Sequence, residues 1–67
     1  MVCGKIDRVV AAMTNSCMNP KQIAEAAGVG VGVVYRMKRG YLIKMERFGK
    51  ICSVLGADAN DLIDFER

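Results

Sequence analysis

Residues 20–40, PKQIAEAAGVGVGVVYRMKRG, leave the chain few ways to fold. Apolar residues at helical spacing run up to Gly28, break there, and resume as far as Gly40. Ile23 and Ala27 stand four apart and Val34 and Met37 three apart, so each pair shares one helix face. Gly28 can take the left-handed conformation that ends a helix, with no Cβ to oppose it. Val29 can plug the angle beyond the turn, and Ala24 is small where the second helix must cross closely. Two short helices joined by a tight turn are the expectation.

The start of the first of these helices is well marked. Asn19 can cap with its side-chain oxygen, and Pro20 suits the first helical position, where its missing N–H had no partner. Gln22, three after the cap, can reach back in a capping box. The second helix, Gly30 to Arg39, is locally weak. Gly30 caps without a side chain, Gly32 costs roughly 0.5–1 kcal/mol against alanine, and Val31 and Val33 are β-branched. With Val34 and Met37 inward, Val31, Gly32, Val33, Tyr35, Arg36, Lys38 and Arg39 face wholly or partly outward.

On either side, further helices are expected. Over residues 4–16, Ile6, Val9, Val10, Met13 and Cys17 make an apolar stripe, with Thr14-Asn15-Ser16 as weak helix formers at its end. Tyr41-Leu42-Ile43 is an apolar connector from which Leu42 or Ile43 should fold inward. Over residues 44–55, Phe48, Ile51, Cys52 and Leu55 form a second stripe, and Gly56 follows as a stop. Asp58 then caps a short last helix, with Leu62 closing the core.

The order Ile23-Ala24, Gly28-Val29, Val34, Met37 and Gly40 resembles the phage repressor/Cro (XRE-type) helix-turn-helix family. The resemblance continues through Phe48, Lys50-Ile51-Cys52, Leu55-Gly56 and Asp61-Leu62, covering about residues 18–63. It implies an all-α, compact four- to five-helix lambda-repressor-like domain over residues 1–67, its helix-turn-helix at about residues 20–39. In that family the second helix enters the DNA major groove. The base-reading positions fall on Val31, Gly32, Val33 and Arg36. Arg36 can give two hydrogen bonds to a guanine, a valine can meet a thymine methyl, and Gly32 lets the backbone approach. Backbone contacts map to Asn19, Lys21, Tyr35, Lys38, Arg39 and Lys44, and Lys5 or Arg8 can add a cation from the first helix. Glutamine often stands at the Pro20 position and an acidic residue at the Lys38 position, so this chain replaces one phosphate contact and gains a positive charge. The resemblance also implies a homodimer on a double-stranded operator, with Phe65 and Ile63 near the last helix as the dimer contact.

Charge supports the same polarity. The net charge is +3. Arg36, Lys38, Arg39, Lys44, Arg47 and Lys50 outweigh Glu46 in residues 36–50, whereas Asp58, Asp61, Asp64 and Glu66 outweigh Arg67 in residues 51–67. One end should attract phosphates and the other repel them. Cys3, Cys17 and Cys52 have no disulfide-like spacing, and with no histidine there is no zinc set, so reduced thiols and no metal or cofactor are expected. The chain has no apolar run of membrane-span length, and MVCGKIDR lacks a signal-peptide core, so a cytoplasmic protein is expected. No nucleophile stands beside a base, and the glycines at 28, 30 and 32 follow a helix rather than a strand, which argues against an enzyme. No small-molecule ligand is evident. Two readings remain: a transcriptional regulator that occupies an operator, or a protein-binding module on the same fold, such as an anti-repressor or antitoxin-like partner.

Overall fold

The computed structural model of the chain describes residues 1–66. Its order is β1 (Val2–Gly4), α1 (Ile6–Asn15), α2 (Pro20–Ala27), α3 (Val31–Lys38), α4 (Met45–Leu55), α5 (Ala59–Leu62) and β2 (Ile63–Glu66). α2 packs against both α3 and α4, while α1 lies against α3 and α5. Val9 and Met13 of α1, Ile23 and Ala24 of α2, Val34 and Met37 of α3, and Phe48, Ile51 and Cys52 of α4 meet in one core, closed by Leu62. These are the inward positions of the apolar stripes, so helical periodicity placed the core.

One device ends three of the helices. Val29 N–H donates to the Ala24 carbonyl at 3.0 Å and Gly28 N–H to Glu25 at 3.3 Å. Tyr41 and Gly40 repeat the pattern onto Arg36 and Met37, and Ala57 and Gly56 onto Cys52 and Ser53. This crossed pair of bonds satisfies carbonyls that the helix leaves over, and it needs a left-handed residue. Gly28, Gly40 and Gly56 supply it, with φ of 70°, 80° and 68°.

α1 departs from the expected 4–16 span. Gly4 belongs to a buried strand, and a Cβ there would lie 2.7 Å from Val9 Cγ2. The far end stops at Asn15, where the Thr14 hydroxyl donates to the Val10 carbonyl at 2.9 Å and the Ser16 hydroxyl to Met13 at 2.6 Å. Such side-chain bonds compete with the helix ladder. Three residues of the stripe stay outside the buried core, Val10 half-buried and two others exposed. Ile6 is 52% exposed and rests over Gly40, and Cys17 is exposed at φ 58°. Cys3 and Cys52 are buried free thiols. Desolvation, then the Asp58 charge, push the Cys52 thiol up to about 11, so it stays protonated and unreactive near neutral pH.

The expected all-α fold stands, with one addition. β1 pairs antiparallel with β2, Val2 against Glu66 and Cys3 against Phe65. On its other side Val2 exchanges backbone hydrogen bonds with Ile43, at 2.9 and 2.8 Å. β1 is therefore the middle element, tying the connector before α4 to the far end of the chain. Of the apolar connector, Ile43 turns inward at 3% exposed, and Tyr41 stays out at 56%. α5 ends at Leu62, so Ile63 and Phe65, the residues expected as a dimer contact near the last helix, lie on an extended segment that pairs with β1.

Candidate nucleic-acid interface

The interface begins at the start of α2. Asn19 Oδ1 accepts from Gln22 N–H at 2.8 Å, and Gln22 Oε1 accepts from Asn19 N–H at 2.9 Å, completing the expected capping box around Pro20. The cap uses the Asn19 oxygen and leaves the side-chain amide as a donor at the positive end of the helix dipole, beside exposed Lys21. Replacing Asn19 with alanine is expected to lower unfolding stability by about 1 kcal/mol. Urea titration followed by circular dichroism checks this; an unchanged midpoint would mean that the box is not formed in solution.

α3 is held from one side only. Val34 and Met37 are fully buried, and Val33 is half-buried against the core. Gly32, Arg36 and Arg39 follow one outward stripe; Val31, Tyr35 and Lys38 flank it. All six are exposed, Val31 at 43% and Tyr35 at 45%. The valine packing that holds α3 comes partly from Val33, which narrows what that side chain can offer a base. Gly30 makes no side-chain cap hydrogen bond, and nothing lies within 4 Å of where a Gly32 side chain would begin. At Gly32 the backbone of the first turn is bare, so another surface can approach it closely there.

Arg36 points along the same face toward the connector. Its Nη2 donates to the Leu42 carbonyl at 3.4 Å, a long and weak bond. Tyr41 N–H is fixed on the Arg36 carbonyl at 2.9 Å, so the connector turns directly off the end of α3. Sequence reading gave Leu42 no part here, since a carbonyl acceptor has no side-chain signature. Lys44 precedes α4 as its N-terminal flanking residue, exposed, with no cap bond of its own. Arg8 lies elsewhere: Nη1 donates to the Asp61 carbonyl at 3.5 Å, which directs it to the acidic end and not to α3.

No charged or polar side chain is buried among the described residues, so every cation of this surface is open to a ligand. Among these residues no group of three metal-binding side chains occurs, and no helix is long and apolar enough to cross a membrane. The outward face of α3 ends in Arg36, Lys38 and Arg39, all exposed, and Lys21 and Lys44 are exposed cations outside it. α3 is about 12 Å long at 1.5 Å per residue, a length that a major groove admits.

A family model described as a Cro/C1-type HTH DNA-binding domain matches residues 8–67. No curated protein and no solved structure matches the chain.

Proposed function

The chain belongs to the Cro/C1-type helix-turn-helix DNA-binding domain family, and we propose that within it the protein is a sequence-specific transcriptional repressor of phage or mobile-element type. It acts in the cytoplasm as one domain over residues 1–67 and occupies an operator, with α3 in the major groove. Arg36 reads a guanine, and Val31, Val33 and the bare backbone at Gly32 supply close apolar contact. Asn19, Lys21, Tyr35, Lys38, Arg39 and Lys44 hold phosphates, supplying most of the affinity and its salt dependence. The observation that carries this reading is the outward stripe of α3, exposed throughout and basic at its end, on a helix anchored from behind by Val34 and Met37.

A single module of this size buries little DNA surface, so two copies on a two-fold site complete the proposal. Ile63 and Phe65 of β2 are the proposed dimer contact. Phe65 is 48% exposed, and among the described residues β2 has one strand partner, β1.

Selection from a randomised duplex pool at moderate salt tests the function. The expected outcome is an enriched motif with two-fold symmetry and half-sites about one helical turn apart. Retention of DNA without any motif would remove sequence specificity. No retention even at low salt would favour the second reading, a protein-binding module, for which exposed Tyr41 and Met45 around the connector would be the contact surface.

A further inference from the structure

A cleft of about 120 Å³ opens on the side of the molecule where α1, α2 and the end of α3 meet. Val10 and Met13 of α1, Met18 of the loop between α1 and α2, Pro20 and Ile23 of α2, and Lys38 of α3 line it. Thr14 also lines it, but its hydroxyl is committed to the Val10 carbonyl. No acidic side chain lines the cleft, so Lys38, itself exposed, stands there without a counter-charge in the lining. Pro20 is the first residue of α2, so the positive end of that helix adds to the potential at the same place.

We infer that this cleft is a binding site for a small carboxylate with a short branched or cyclic apolar tail. The volume sets the size. An apolar cavity of roughly 150 Å³ holds a benzene ring, so a tail of four to six carbons is the limit here. The two thioether side chains give the walls some adaptability to tail shape. The charge sets the head group: a carboxylate placed at the mouth takes a charge-assisted hydrogen bond from Lys38 while the tail covers the half-buried Val10, Met18 and Pro20. A cationic or purely polar ligand gains neither term. Lys38 is also a proposed phosphate contact, so a bound carboxylate occupies a cation that DNA would use. That coupling rests on the DNA-binding reading, whereas the site itself does not.

Titration of the full chain with 3-methylbutanoate, followed by methyl NMR without DNA, tests the site. The expected result is saturable shifts confined to the methyl groups of Val10, Met13, Met18 and Ile23, with a dissociation constant on the order of 1 mM. The neutral 3-methylbutanamide is expected to bind about 10-fold more weakly, and so is 3-methylbutanoate to the Lys38→Met variant, which keeps the stem and removes the charge. Absence of saturable shifts at these methyls would overturn the proposal, and so would equal binding of acid and amide. Shifts of the same methyls on simple dilution of the protein would also overturn it, assigning the cleft to a second copy. No outcome depends on DNA, so failure here leaves the DNA-binding reading standing.

Discussion

Replacing Val2 with aspartate is expected to leave most of the chain unfolded at 25 °C. Val2 is fully buried, and both its backbone groups bond to Ile43. A carboxylate there has no cation to meet among the core residues around it, all of which are apolar. Burying it, or expelling it by opening the strand, costs several kcal/mol. A chain of 67 residues has a small core, and its total stability lies near the low end of the usual 5–15 kcal/mol. Val2→Ala separates charge from volume and is expected to cost about 2 kcal/mol, the burial value of the lost methyl groups. Urea unfolding by circular dichroism reads both. If Val2→Asp stays within about 0.5 kcal/mol of the parent chain, the first strand does not close onto the connector in solution.

The second large effect is expected at Arg36. On the motif enriched by selection, Arg36→Ala should weaken binding by about 1–3 kcal/mol, roughly 5- to 150-fold, and relax the preference at a single base position. Affinity for unrelated DNA should fall little. Arg36→Lys should not restore the preference, because an ammonium cannot place two parallel donors on a guanine. Loss of the long bond to the Leu42 carbonyl has little influence on folding, since both partners are at the surface. Lys44→Ala provides the contrast: a uniform loss on all sequences and a salt dependence shallower by about one charge. Fluorescence anisotropy over a salt series distinguishes the two patterns. Equal behaviour of the two variants would remove Arg36 from base reading.

The helices were legible because each writes its core face at a spacing of three and four, and because Asn19, Pro20, Gln22, Gly28, Gly40, Gly56 and Asp58 are cap chemistry that acts locally. The sheet was not. Val2-Cys3-Gly4 is too short for an alternating pattern, and its pairing depends on residues at the opposite end of the chain. Ile6 and Cys17 fitted the stripe of α1 by number, yet Ile6 stays 52% exposed beside Gly40, and the chain leaves the helix before Cys17. The outward face of α3 was legible by subtraction, once Val34 and Met37 were assigned inward. The bond from Arg36 to a backbone carbonyl and the cleft beneath Lys38 were not, since both come from tertiary placement rather than residue type.

The pairing of Val2 with Glu66 also fixes an order of assembly. The α2–α3 corner and its docking with α4 join residues close along the chain, so they can form early at little loop-closure cost. The two strands must instead bring opposite ends of the polypeptide together, and nothing local favours them beforehand. On loop-closure grounds they are expected to close last, over a corner that already carries α3.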